Sequence, residues 1–227
     1  MSIKYGQICP ISKAAEILGE RWTLLIIREL LLGTSRFSDF QRALSQISPS
    51  LLTKRLNQLV DAELVIKKKS SEKRTEYFLT PAGRELQPLL MELGNWGSRW
   101  ARGQMSDDEQ DIEMLMFDFC RRIDASELPA CRNVVHFVVG GVERFPRWWI
   151  IIDNDQRELC VDKPVDPVDL TVSTDVRTLS EIWAGDTPIA DAKRAGRFEL
   201  KGSPVLSRTI SAWFRRGIFA DVRPAAE

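Results

Sequence analysis

The sequence has little of what catalysis, disulfide bonding and metal binding depend on. Its 227 residues include one histidine, His136, and four cysteines that form neither a CxxC pair nor a metal-ligand spacing. It contains no GxSxG, HExxH or phosphate-binding loop, and no spacing nominates a nucleophile with its base. We therefore predict that the protein is not an enzyme and has no metal site and no cofactor.

Long apolar runs are also missing. No apolar stretch approaches the ~18 residues of a membrane-spanning helix, and the most apolar one, residues 24–32, is interrupted by Arg28 and Glu29. No apolar signal-peptide core precedes Lys13. These features favour a cytoplasmic protein without a membrane partner, in which the cysteines are reduced thiols.

The formal net charge of zero conceals an asymmetry between the two halves. Residues 1–104 hold 16 Lys and Arg against 10 Asp and Glu, whereas residues 105–227 hold 16 against 22. Such a split favours two domains with different tasks, and the basic one is suited to a polyanion. We predict domains at 1–104 and 105–227.

The patterns in residues 1–104 follow the order of a winged helix-turn-helix. Helical spacing is found near residues 14–19, 22–32, 37–44 and 49–62. Two β-prone runs, 64–66 and 76–79, then enclose a polar tip, which is typical of a hairpin. Thr80-Pro81 predicts the start of one long closing helix. In that helix Leu86, Leu90 and Leu93, extended by Trp96 and Trp100, predict an apolar stripe for dimerisation.

The helix from Pro49 to Ala62 is the strongest candidate for contact with DNA. Leu52, Leu56 and Leu59 form its inward stripe, and the opposite face is polar, as in a helix that enters the major groove. An amphipathic surface helix with a solvated face would show the same pattern. The following tip, residues 67–74, carries five positive charges and one negative and would place cations on phosphates. The candidate DNA-binding residues are Ser48, Ser50, Thr53, Lys54, Arg55, Asn57, Lys67, Lys68, Lys69, Lys73 and Arg74.

Residues 105–227 predict an α+β domain. Alternating or β-prone runs predict strands near 134–139, 148–152, 158–161, 169–174 and 197–201. Helices are predicted at 107–123, capped by Ser106, and at 176–184, 189–195 and 203–214.

The first half closely resembles the HxlR family of winged-helix regulators. The resemblance rests on Cys9-Pro10, the run Gly19-Glu20-Arg21-Trp22-Thr23-Leu24-Leu25-Ile26, Ile47-Ser48-Pro49, Leu52-Thr53, Arg55-Leu56, and the run from Glu76 to Gly83. It implies a homodimer on a near-palindromic operator in double-stranded DNA, with the first and last helices of the domain as the interface. One departure is Glu63, since the family usually has glycine between helix and strand. We expect local strain or a different cap there.

The second half resembles a sterol-carrier-protein-like domain more faintly. The residues concerned are Asp169–Val172, Leu179, Ile182-Trp183, Gly185-Asp186, Ala195–Phe198 and Lys201–Ser203. The resemblance implies a sheet and helices around an apolar tunnel for a small apolar or amphipathic ligand. Its candidate lining is Phe137, Trp148, Trp149, Ile151, Trp183 and Phe214, although the same aromatics would also suit a plain core.

Cys9 is a separate candidate. Several regulators that resemble this one use a cysteine at this position, just before the first helix, to sense oxidants or electrophiles. Lys13 lies one turn on and would stabilise a thiolate. The alternative is a buried, small apolar side chain.

The combined prediction is an α+β fold with an N-terminal winged helix-turn-helix domain and a C-terminal sterol-carrier-like domain. The corresponding function is a dimeric transcriptional regulator that responds to a small apolar ligand. The alternative is a lipid carrier or scaffold whose helical domain only dimerises. The basic tip and the polar helix face favour the regulator, because a carrier does not need them.

Overall fold

The computed structural model describes residues 4–71, 74–102 and 111–225. The chain divides into two compact units, Met1–Trp96 and Gly97–Glu227. The predicted boundary between residues 104 and 105 lies outside the described residues and stays a prediction. None of the helices in the described ranges is long and apolar enough to cross a bilayer.

The N-terminal unit consists of helices and one hairpin, as predicted. Three of its helices begin with a proline, whose missing N–H is harmless in the first turn. Ser48 and Thr80 cap two of them, accepting hydrogen bonds from the backbone N–H groups of Leu51 and Gly83. The elements are α1 (Pro10–Leu18), α2 (Thr23–Leu31), α3 (Phe37–Ala43), α4 (Pro49–Asp61), β1 (Val65–Ser71), β2 (Arg74–Leu79), α5 (Pro81–Arg84) and α6 (Gln87–Trp100).

The predicted single closing helix is wrong in one respect, because it is two helices, α5 and α6. Pro88 has no N–H to donate to the carbonyl of Arg84, and its ring would clash with that carbonyl in a continuous helix. The short α5 is pressed against the hairpin at Gly83, where an added Cβ would lie 2.3 Å from the backbone oxygen of Leu64.

The core of the N-terminal unit forms where α2, α3 and α4 meet the hairpin. The predicted stripe of α4 is confirmed, since Leu52, Leu56 and Leu59 are at most 1% exposed. They pack with Ile26, Ile27 and Phe40 from α2 and α3. This burial turns the opposite face of α4 outward.

The C-terminal unit is one five-stranded sheet with helices packed on one face. The strand order is β5-β4-β3-β6-β7, with β3 and β6 parallel and the other pairs antiparallel. The elements are α7 (Ile112–Arg122), a 3-10 turn (Ala125–Glu127), β3 (Asn133–Gly140), β4 (Arg147–Asp153), β5 (Gln156–Cys160), β6 (Leu170–Asp175), α8 (Val176–Ala184), α9 (Ile189–Arg194), β7 (Phe198–Gly202), α10 (Pro204–Arg208) and α11 (Ile210–Trp213).

Two predicted helices of this unit have different bounds. The helix predicted at 107–123 begins at Ile112, and its N-cap is Asp111, whose extended backbone ends the helix on that side. Ser106 and residues 107–110 lie outside the described residues. The helix predicted at 203–214 is interrupted at Thr209. There the indole N–H of Trp213 donates to the carbonyl of Leu206, which a continuous helix would have bonded to the N–H of Ile210.

The end of α4 explains how Glu63 stands where glycine is usual. Glu63 has a left-handed backbone, with φ of 57°. Its N–H bonds to the carbonyl of Val60, and the N–H of Leu64 bonds to that of Leu59, which together form a Schellman cap. The expected strain is therefore present, and the cap is the one that glycine would form.

We predict that Glu63→Gly raises the free energy of unfolding by about 1 kcal/mol, because glycine adopts this backbone without a Cβ clash. Glu63 is exposed, so the substitution removes no packing. Chemical denaturation measures the change. Glu63→Gln, which removes the charge and keeps the Cβ, is the matched control and should leave stability unchanged. An equal gain in the free energy of unfolding from both variants would contradict the claim that the Glu63 backbone is strained.

Candidate nucleic-acid interface

The outward face of α4 carries most of the predicted helix contacts. Ser48, Ser50, Thr53, Lys54 and Asn57 are all exposed. The Thr53 hydroxyl donates to the carbonyl of Pro49 at 2.9 Å, so its oxygen can still accept a hydrogen bond from outside. The exposed side chains are small at the start of α4, at Ser48 and Ser50, and longer one turn later, at Lys54 and Asn57. This order suits a helix whose N-terminal part enters a DNA groove.

Arg55 does not belong to this face. Its side chain is only 8% exposed, and its guanidinium is fully engaged inside the unit. It donates to the backbone oxygen of Arg21 and contacts Glu20 and Gln58. We therefore remove Arg55 from the set of DNA contacts, because a buried and occupied guanidinium cannot reach a base or a phosphate.

The hairpin β1–β2 is longer than predicted and separates its lysines onto two faces. Lys67 pairs with Tyr77, and its Nζ lies 5.8 Å from the centre of that ring. Lys68 lies on the other face, with its Nζ 5.6 Å from the ring of Phe78. Lys69 is exposed on the Lys67 side. Each of these two ammonium groups thus lies over an aromatic ring, while both lysine side chains remain exposed.

The other two predicted cations of the hairpin are Lys73 and Arg74. Lys73 lies outside the described residues. Arg74 opens β2, and only its backbone is described.

A further cation stands at the base of the hairpin, and the sequence analysis missed it. The N–H of Tyr77 donates to the carbonyl of Ser35, and Arg36 forms a β-bridge with Glu76. Residues 35–36 therefore pair with β2 through an isolated β-bridge. The Arg36 side chain is 52% exposed, with its Nε 3.6 Å from a Glu76 carboxylate oxygen. The sequence pattern predicts a helix that starts at residue 37, and no local signal indicates that the two residues before it pair with a strand forty residues later.

The geometry is that of a helix-turn-helix with a basic wing, and sequence relatives place it in a family. Residues 17–105 match the family model of the HxlR-like helix-turn-helix. The HTH-type transcriptional regulator YvaP of Bacillus subtilis is 39% identical over 99 residues, which are 42% of this chain and 91% of the relative. The chain belongs to the HxlR-like helix-turn-helix family.

A second sequence relative agrees with this assignment. The HTH-type transcriptional regulator sll1512 of Synechocystis is 38% identical over 97 residues, 42% of this chain and 72% of the relative. Among solved structures, the reduced form of the transcriptional regulator YodB from B. subtilis is 33% identical, covers 40% of this chain and 93% of that chain, and gives a TM-score of 0.36. The family is one of transcriptional regulators, so the chain is a transcriptional regulator and not an enzyme. Within the described ranges, no three His, Cys, Asp or Glu residues form a group that could hold a metal ion.

The six residues predicted to line a ligand tunnel divide between the two faces of the sheet. Phe137, Trp148 and Phe214 are at most 4% exposed and belong to the core between sheet and helices. Trp149 and Ile151 lie in a small cluster on the other face of the sheet. The aromatics of the main core are in direct ring contact: Phe214 stacks on Phe119 at 4.2 Å and on Phe137 at 5.5 Å between centroids.

Trp183 is held by a polar network instead. Its indole N–H donates to Asp118 at 2.7 Å, and the same carboxylate accepts from Arg121 and Arg122. These cations and the indole hold the pKa of Asp118 below its usual value despite its burial, which acts in the opposite direction. Phe214 borders a surface hollow of about 370 Å³ beside Ile189 and Arg215.

Cys9 is exposed, so the alternative of a buried apolar residue is wrong. It is the N-cap of α1, and the backbone N–H groups of Ser12 and Ile11 lower the pKa of its thiol from the usual value. Lys13 does not act as expected, because its ammonium is paired with Glu16 at 3.0 Å. The helix start itself therefore favours the thiolate.

We predict that iodoacetamide alkylates Cys9 at a lower pH than it alkylates an ordinary thiol. The lowered pKa increases the thiolate fraction near pH 7, and this gain disappears once the pH is high enough to ionise any cysteine. Mass spectrometry of the Cys9 peptide across a pH series measures the midpoint. The matched control is the isolated peptide of residues 5–13, which has the same neighbours without the helix. Equal midpoints in protein and peptide would contradict the role of the helix N–H groups.

Proposed function

We propose that this regulator binds a near-palindromic operator as a homodimer, with α4 in the major groove and the β1–β2 wing on the neighbouring phosphates. The observation that carries the proposal is that the N-terminal unit exposes two different kinds of surface, a polar helix face and a basic hairpin. On α4, the exposed side chains of Thr53 and Asn57 are short and suit base edges, and the exposed cation Lys54 suits a phosphate. Two lysines of the wing lie over aromatic rings and suit sequence-independent phosphate contact.

The wing is predicted to contribute salt-dependent affinity. Neutralising Lys67, Lys68 and Lys69 to Gln should weaken binding to every duplex and flatten the dependence of log K on log salt by roughly one unit per lost phosphate contact. Titrations of a fluorescent duplex at several salt concentrations measure the slope. The matched control neutralises three exposed lysines of the C-terminal unit, Lys163, Lys193 and Lys201, which gives the same change of net charge.

The two triple variants separate local contact from overall charge. Equal slopes in the wing variant and the control variant would contradict a phosphate-binding wing. Asn57→Ala should behave in the opposite way, with an unchanged salt slope and altered tolerance for one or two base pairs, because base contacts release no counterions.

The dimer is proposed to form through apolar side chains of α1 and α6. The predicted stripe needs one revision, since Leu86 and Leu90 pack on the core of the N-terminal unit. The exposed stripe of α6 is Leu89, Leu93, Trp96 and Trp100, each 48–59% exposed and spaced as on one side of a helix pair. In α1, Ile11 is 78% exposed. Exposed apolar residues in such a continuous row support an interface with a second copy of the chain.

We expect Leu89→Glu combined with Leu93→Glu to give a monomer, because the dimer would have to bury two carboxylates. Light scattering at micromolar concentration measures the mass. The control is Val165→Glu combined with Val205→Glu, which changes two exposed apolar residues of the C-terminal unit by the same amount. A wild-type mass of one chain with full DNA affinity would rule out the proposed dimer.

For the C-terminal unit, a sterol-carrier-like arrangement is supported by the sheet with helices on one face. The hollow beside Phe214 supports a response to an apolar ligand, whereas Phe137 and Trp148 are packed in the core and Trp183 is held by Asp118. The lipid-carrier alternative loses its main support for the same reason. It would also leave the basic wing without a role.

A further inference from the structure

The most directional contact of the recognition helix α4 is made on its buried side. Arg55 Nε donates to the backbone oxygen of Arg21 at 2.9 Å. Its Nη1 donates to Gln58 Oε1 at 2.7 Å, and its Nη2 lies 2.6 Å from a carboxylate oxygen of Glu20. One planar guanidinium thus satisfies three acceptors, two of which belong to the turn between α1 and α2.

The turn that Arg55 holds has an unusual backbone. Trp22 follows Arg21 directly and has a left-handed conformation, with φ of 79°, as the N-cap of α2. Bulky residues rarely adopt this conformation unless their surroundings impose it. The Arg21 carbonyl that accepts from Arg55 belongs to the peptide unit that joins Arg21 to the strained Trp22. The same hydrogen bond therefore holds both the turn and α4.

The leucine anchors of α4 set its rotation, but they do not fix its position along its own axis. Leu52, Leu56 and Leu59 determine which face is buried, but apolar burial has no preferred direction. A base contact requires a donor–acceptor distance of about 2.7–3.2 Å, so a small shift of α4 would break it. A flexible lysine on a phosphate tolerates the same shift.

We propose that Arg55 is a positioning residue for operator specificity: it aligns α4 against the α1–α2 turn without contacting DNA. This inference rests on the proposed function, because it assumes that α4 reads base edges. It predicts that loss of the Arg55 contacts lowers the preference for the operator and leaves the number of phosphate contacts unchanged.

The experiment compares Arg55→Met with Lys54→Met, its exposed neighbour. The probes are a duplex that the wild-type protein selects from a randomised pool and a scrambled duplex of equal length. For Lys54→Met we expect weaker binding to both duplexes and a salt slope flatter by about one unit. For Arg55→Met we expect an unchanged slope and a five- to hundredfold fall in the ratio of the two affinities, the range of one or two lost base contacts.

Glu20→Gln provides a second variant that keeps Arg55 in place. Glu20 is partly exposed, and its replacement by Gln removes the negative charge while an amide oxygen remains to accept from Arg55. A purely electrostatic effect would tighten binding to both duplexes equally and leave their ratio unchanged. Positioning predicts instead that the ratio falls. Thermal unfolding of each variant shows which of them are folded, and Glu20→Gln decides the question where Arg55→Met is not.

The outcomes distinguish the inference from the proposed function. A flatter slope for Arg55→Met would mean direct phosphate contact, and an unchanged affinity ratio in the folded variants would mean a merely structural contact. Either result overturns the positioning role. If the wild-type protein selects no duplex from the pool, the proposed function itself fails.

Discussion

The burial of one leucine stripe determines how the N-terminal unit presents itself. Once Leu52, Leu56 and Leu59 are enclosed by α2 and α3, the helix has only one face left for contact with anything outside. The Schellman cap at Glu63 then ends α4 and directs the chain straight into β1, so the wing follows the recognition helix after a single turn. Fully burying such a side chain contributes about 1.5–3 kcal/mol to the free energy of unfolding. Exposing this face of α4 would therefore destabilise the unit strongly.

The elements that could be predicted from sequence are those governed by local chemistry. Helix starts at Pro49 and Pro81 follow from the fixed φ of proline and from the capping hydroxyl before each of them, whereas α1 begins at Pro10, ahead of the segment predicted near residues 14–19. The strands of the C-terminal sheet follow from alternation of apolar residues, and the observed bounds differ from the predicted ones by one or two residues. Periodicity of this kind is set by backbone geometry and needs no knowledge of the rest of the fold.

What could not be predicted depends on partners distant in the chain. Arg55 looks like another cation of a DNA-binding helix, and only the position of Glu20 and Arg21 shows that it points inward. Trp148 and Trp149 are neighbours in sequence, yet the pleat of β4 sends them to opposite faces of the sheet. A list of aromatic residues therefore cannot define a pocket until the strand that carries them is known.

The parallel pairing at the centre of the C-terminal sheet has a consequence for the order of folding. Val135 of β3 stands beside Leu170 of β6, and everything between them, including β4 and β5, must be made before that pair can form. The wing of the N-terminal unit joins strands that are close in sequence, with Val65 opposite Leu79. Since local contacts form faster than distant ones, a growing chain completes its DNA-reading unit while the central strands of the second unit are still unmade.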